Sequence, residues 1–181
     1  MRKLKNEELV RLTTQEFKNK SKIPLVIILD NVRSMNNIGS VFRTSDAFLI
    51  NKIMLCGITA QPPHNEINKT ALGATESVDW EYFENTLDAI NALKELGYKI
   101  YAIEQAENSI KLDDFKVSKD EKIAVIMGHE VRGVQQSVVD VCDGCIEIEQ
   151  YGTKHSLNVS VCSGIVIYQV SRQFRVSSPE N

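Results

Sequence analysis

The chain has little of what marks a membrane, secreted or metal-holding protein. Nowhere in its 181 residues does an apolar run approach the ~20 residues of a membrane-spanning helix. The N-terminus is polar and basic, with no apolar signal core. A cytoplasmic protein without a membrane partner is expected. Cysteine is scarce, at Cys56, Cys142, Cys145 and Cys162. Cys142 and Cys145 have the spacing of half a metal site, but no second such pair accompanies them, so buried reduced thiols and no metal are expected. No GxGxxG follows the first apolar run, which removes the dinucleotide-binding oxidoreductase from consideration. Strong basic charge is lacking too, since the formal net charge is −3. That charge is uneven, however. Residues 1–22 carry seven Lys/Arg against three Asp/Glu, leaving an acidic body behind a basic arm. Such an arm seeks phosphate or is simply a solvated face; charge alone favours the second.

What is present is alternation. Residues 6–19 predict a short helix with Leu9, Leu12 and Phe17 as its apolar positions. Leu25–Leu29 is a continuous apolar run of strand length, the pattern of a parallel strand buried on both faces. Helix is predicted over 37–48, strand over 53–56, helix over 85–96 with Gly97 as C-cap, and strand over 98–103. Strand 123–127, a short helix over 134–141, strand 145–148 and a long helix over 157–174 complete the pattern. Strands alternating with helices predict an α/β fold with a mainly parallel sheet flanked by helices. No repeat or second-domain boundary interrupts it. Residues 1–22 are read as a basic helical appendage, 23–176 as the main domain and 177–181 as a polar tail.

Three polar, glycine-containing segments sit at predicted strand ends: 36–46 (NNIGSVFRTSD), 126–134 (IMGHEVRGV) and 152–160 (GTKHSLNVS). In an open α/β sheet ligands bind at strand ends, where helix N-termini present free backbone N–H groups. Three such turns suggest one composite site.

In these residues the chain resembles the SpoU-type (TrmH-like) RNA ribose methyltransferases of the SPOUT superfamily, over about Pro24 to Tyr168. The resemblance rests on Asn37-Ile-Gly-Ser-Val-Phe-Arg43-Thr-Ser-Asp-Ala, on Gly128-His-Glu130-Val-Arg-Gly133 and on Ser156-Leu-Asn158-Val-Ser160, in that order. It implies S-adenosylmethionine as methyl donor, the 2′-hydroxyl of a ribose in tRNA or rRNA as acceptor, a homodimer and a C-terminal trefoil knot. A catalytically silent RNA- or cofactor-binding module on the same fold is the alternative. Two features depart from the family: Glu149 stands where proline is usual after Ile148, and residues 104–109 are acidic.

The resemblance makes Arg43, Asn37, Glu130, Ser156 and Asn158 the candidate catalytic residues. Ile103, Glu104, Met127, Gly128, Ile148 and Leu157 are the candidates for holding the methyl donor. A ribose hydroxyl is a poor nucleophile at neutral pH, so positioning and proton removal are the tasks to be shared. Guanidinium is effectively never neutral, so Arg43 is expected to grip a phosphate and acidify the hydroxyl, although the family assigns it the role of base. Asn37 lies six residues before Arg43, and both are expected on one side of a helix, with Asn37 also a possible N-cap. Glu130, between two glycines, is expected to accept loop N–H groups or pair with Arg43. Ser156 is expected to cap the last helix, and Ser160, Ser163 and Gly164 to form a close-packing face in the knot or dimer. Lys69 is expected to be a solvated lysine, with RNA phosphate as its other reading.

Overall fold

The structure, a computed structural model, describes residues 1–176; the expected polar tail lies outside them. Seven strands form one sheet. They are β1 (Ile23–Asp30), β2 (Ile50–Cys56), β3 (Asp79–Phe83), β4 (Tyr98–Ile103), β5 (Ile110–Lys111), β6 (Lys122–Met127) and β7 (Gly144–Glu147). Their order is β3-β2-β1-β6-β4-β7-β5, and every pairing is parallel. The helices are α1 (Thr14–Asn19), α2 (Met35–Ala47), α3 (Asn65–Ala71), α4 (Ala74–Ser77), α5 (Thr86–Glu95), α6 (Gln136–Val139) and α7 (Val159–Val176). No helix among the described residues is long and apolar enough to cross a membrane.

The two-residue period of the strands explains their continuous apolarity. In β1, Leu25, Ile27 and Leu29 enter one core with Ile38 and Phe42 of α2 and Val166, Ile167 and Val170 of α7. Val26 and Ile28 point the other way, into a second core with Ala89, Ile90 and Leu93 of α5 and Val138 of α6. Both faces of the central strands are therefore dry, and each fully buried side chain contributes roughly 1.5–3 kcal/mol.

The predicted N-terminal helix is broken. A 3-10 turn covers Asn6–Glu8, and α1 begins only after Thr13, whose side chain accepts from the Glu16 N–H in a capping box. Phe17 is buried, whereas Leu12 is exposed, so one apolar contact rather than an apolar face anchors the arm. α1 precedes the N-terminal end of β1, and the strand's eight residues separate it from the opposite, C-terminal edge of the sheet.

That C-terminal edge is built by loops. After β1, Asn31 adopts φ 57° and its Oδ1 accepts from the Ile58 N–H. Thr59 Oγ1 accepts from the Val32 N–H and donates to the Leu29 carbonyl. These bonds fix the turn that launches α2, whose N-cap is Ser34, accepting from the Asn37 N–H. On the other side of the sheet, β7 lies between β4 and β5, so the segment joining β4 to β5 must cross it.

Candidate functional site

Beyond the ends of β4, β6 and β7 lies a cavity of about 480 Å³. Its apolar walls are Ile103, Met127, Val134, Ile148, Leu157 and Val159. Glu104, Gly128, Glu130 and Ser156 also line it, as do the flanking His129 and Arg132. All six residues expected to hold a methyl donor thus border one space. Of the five candidate catalytic residues, Glu130 and Ser156 border it, while Asn37, Arg43 and Asn158 do not.

The loop after β6 explains why glycine recurs there. His129 and Gly133 bond each other as a bridge, N–H to carbonyl in both directions, at 3.1 and 2.8 Å. A Cβ on Gly128 would sit 2.2 Å from the Gly133 carbonyl carbon and 2.3 Å from the Val134 nitrogen, so only a bare Cα lets the turn close. Gly133 has φ +64°, and Glu104 Oε2 occupies the position its Cβ would take. The same oxygen accepts from the Val134 N–H at 3.0 Å, and Glu104 Oε1 accepts from the Gln105 N–H at 3.0 Å. The acidic residue that departs from the resemblance therefore buttresses the loop.

Glu130 reaches from this loop to the start of α2. Its carboxylate accepts from the Arg33 N–H at 3.0 Å, the Ser34 N–H at 2.8 Å and the Asn37 amide at 3.2 Å. Burial works to raise its pKa, but the Arg33 and Ser34 N–H groups, its own N–H and the Asn37 amide outweigh that and hold it below the ordinary carboxylate value. Asn37 Oδ1 in turn accepts from Asn158 Nδ2 at 3.1 Å. Asn158 Oδ1 accepts from the backbone N–H groups of Ser160 and Val161 at 2.9 and 3.3 Å. Each amide has one orientation that satisfies this chain, so the relay fixes both. One continuous line of hydrogen bonds ties the three glycine-containing segments together, with Asn37 as its hinge.

Several expectations change. Asn37 does not cap α2; Ser34 does, and Asn37 sits one turn inside. Asn37 is buried while Arg43 is exposed, because six residues at 100° leave them about 120° apart. Glu130 does not pair with Arg43, whose side chain makes no hydrogen bond or ion pair among the described residues. Asn158 rather than Ser156 caps the last helix, since the Cys162 N–H bonds the Asn158 carbonyl. Ser163 is fully buried and its hydroxyl donates to the Val159 carbonyl, so it faces the protein's own core. Lys69, by contrast, is exposed as expected of a solvated lysine, and is paired with Glu66.

Sequence reasoning missed His129, which no pattern argument distinguished from its neighbours, and the backbone donors of Arg33 and Ser34, which carry no side-chain signature. Among the described residues no cluster of three or more His, Cys, Asp or Glu is arranged to hold a metal ion. The thiols of Cys56, Cys142 and Cys162 are pushed up by burial to about 12, about 11 and about 11, which leaves them protonated at neutral pH.

The model of the SpoU rRNA Methylase family matches residues 24–168. A protein of Borreliella burgdorferi described as an uncharacterized tRNA/rRNA methyltransferase is 30% identical over 183 residues, covering 96% of this chain and 78% of its own length. The 23S rRNA (guanosine-2′-O-)-methyltransferase RlmB of Neisseria meningitidis is 30% identical over 157 residues, covering 87% of this chain, which spans 62% of that protein. Among solved structures, the A. aeolicus TrmH/SpoU tRNA modifying enzyme superposes with a TM-score of 0.77 at 26% identity, over 88% of this chain and 79% of that one. The AdoMet-bound rRNA methyltransferase of Sinorhizobium meliloti shares the fold, with a TM-score of 0.76 at 24% identity over 86% of this chain and 59% of that one.

Proposed function

The chain belongs to the SpoU rRNA methylase family, and from that premise we propose that it transfers a methyl group from S-adenosylmethionine to the 2′-hydroxyl of a ribose in tRNA or rRNA. The observation that carries the reading is the hydrogen-bonded line Glu130–Asn37–Asn158 at the rim of the cavity. It joins the three segments on which the family resemblance rests, two of which line the cavity.

The methyl donor fits the residues present. The cavity volume lies within the range of ordinary ligand sites. Ile103, Met127, Ile148 and Leu157 offer apolar surface for a flat purine, and the bare Cα of Gly128 lets backbone approach it closely. When bound, S-adenosylmethionine supplies a methyl group activated by its sulfonium. The chain's own part is to position and to acidify. Glu130, held ionised by three donors, organises the loop and is no proton acceptor. Ser156 offers a hydroxyl at the cavity wall to orient the acceptor ribose.

Arg43 is exposed and lies outside the cavity of its own chain, which supports a role across a homodimer contact. There its guanidinium grips a substrate phosphate bidentately and lowers the pKa of the neighbouring 2′-hydroxyl. An exposed apolar strip on α7 supports that dimer: Val161, Ile165 and Tyr168 are 52%, 39% and 54% exposed. Closed two-fold pairs are the commonest oligomers. The crossing of β7 by the β4–β5 connection supports the trefoil knot implied by the family.

The test is twofold. Purified protein is supplied with labelled S-adenosylmethionine and total RNA from a strain lacking the gene, and ribose methylations lost in that strain are mapped. Label appearing at the mapped 2′-oxygen is expected. Absence of transfer, together with an unchanged methylation map, would refute the proposal.

A further inference from the structure

His129 is held in an unusual way. Its Nδ1 accepts from the backbone N–H of Val131 at 3.0 Å and of Arg132 at 3.4 Å. The ring thus does what an Asn or Ser side chain does in a tight turn, satisfying N–H groups two and three residues on. A ring nitrogen that accepts carries no proton, so in the neutral imidazole the proton sits on Nε2. Nε2 has no partner among the described residues, and His129 lines the cavity. Three residues along, Arg132 lines the same cavity, is exposed, and its guanidinium has no hydrogen-bond or ion-pair partner there. The two carboxylates that line the cavity are bonded to other donors. Glu104 accepts from Gln105 and Val134, and Glu130 accepts from Arg33, Ser34 and Asn37.

An N–H and a guanidinium that share one wall, with no protein acceptor bonded to either among the described residues, are free to receive an acceptor from outside. We propose that His129 Nε2 and Arg132 form an anion subsite on the wall of the cavity, which takes a negatively charged oxygen of a ligand bound there. This rests on the methyltransferase reading, which offers two sources of that oxygen: the carboxylate of the methyl donor and the phosphodiester beside the acceptor ribose. The shared chemistry is a charge-assisted N–H···O⁻ bond. His129 is a positioning residue with two separate tasks, closing the turn through Nδ1 and binding through Nε2.

The tasks separate experimentally. His129→Asn keeps an acceptor for the Val131 N–H and replaces the far-reaching ring N–H at Nε2 with a shorter amide, so its melting temperature should match the wild type. Arg132→Gln alters an exposed side chain without internal bonds and should also fold normally. Calorimetry with S-adenosylmethionine and with methylthioadenosine, which lacks the carboxylate, forms one arm. Filter binding of unmethylated total RNA from the deletion strain forms the other. Both variants should weaken one ligand by about tenfold or more, the loss of a hydrogen bond to a charged group. Weaker S-adenosylmethionine with unchanged methylthioadenosine assigns the subsite to the donor's carboxylate; weaker RNA assigns it to phosphate. Variants that keep wild-type affinity for all three overturn the subsite. A wild type that binds S-adenosylmethionine and RNA while the variants bind both equally well sinks the subsite alone; a wild type that binds neither sinks the methyltransferase reading together with it.

Discussion

Replacing Gly128 by alanine tests the geometry of the cavity most directly. The added Cβ would lie 2.2 Å from the Gly133 carbonyl carbon, 2.3 Å from the Val134 nitrogen and 2.4 Å from the Gly133 oxygen. All three are backbone atoms, so no side chain can rotate away. Ordinary contact between carbons is about 3.5–4.0 Å, so the two arms of the turn must part by more than about 1 Å. That breaks the paired His129–Gly133 bonds and loosens Val134 N–H from Glu104. Two backbone bonds at about 1 kcal/mol each and one to a carboxylate at roughly 1.5–3 kcal/mol set the scale, and water at the cavity mouth returns part of it. A net loss of about 2–4 kcal/mol follows, which for a chain of this size lowers the melting temperature by roughly 5–15 °C. Because Gly128, Gly133 and Val134 all line the cavity, S-adenosylmethionine should bind at least about tenfold more weakly. Gly152→Ala is the control, since a Cβ there meets nothing within 4 Å. Thermal melts and calorimetry on both variants decide the matter. A Gly128→Ala protein melting within about 2 °C of wild type, with unchanged affinity, would show that the turn does not need a bare Cα.

Arg43→Ala and Arg43→Lys should both bind S-adenosylmethionine normally and lose most methyl transfer, because lysine lacks the planar fork; near-wild-type turnover in the lysine variant would remove the guanidinium-specific role. If Arg43 works across a dimer, mixing Arg43→Ala with Gly128→Ala protein should restore activity that neither has alone. Glu130→Gln should lower the melting temperature at neutral pH, and the difference from wild type should shrink on acidification. The folded-state pKa is depressed, so its contribution is complete above the unfolded value of about 4.3 and is lost as pH falls through the folded value; a difference that grew toward low pH would refute the assignment. Ile165→Glu should give a monomer by light scattering, whereas a dimer that survives it would place the contact away from the α7 strip.

The central fold was legible because β1 and β6 are dry on both faces and leave continuous apolar runs, while β4 alternates a buried face with a half-exposed one. β3 was not, since its residues are exposed or half-buried at the sheet's edge and its sequence, DWEYF, is polar. α3 and α4, at seven and four residues, are too short to show a period. β5, at two residues, exists only because β7 offers it an edge. In the site, the motif residues were legible by family likeness, but their connections were not. Helical spacing alone suggested a shared side for Asn37 and Arg43, and only the packed structure shows one buried and the other exposed. The roles of Asn158 as cap and of His129 as turn acceptor depend on backbone N–H groups, which look alike in every sequence.

The place of β7 in the sheet has a consequence for biosynthesis. Of the seven strands among the described residues, β7 leaves the ribosome last, yet it belongs between two strands made earlier. Until it arrives, the edge of β4 is unpaired and β5 has no neighbour, leaving an open template of the kind that invites pairing with other chains. The segment after β7 also carries Ile148, Ser156, Leu157 and the Asn158 amide that completes the line to Asn37. A nascent chain halted before this point holds the first two glycine-containing segments but lacks the Ile148, Ser156 and Leu157 side of the cavity and the Asn158 anchor. The cavity walls are therefore complete only once β7 and the segment after it have joined the sheet.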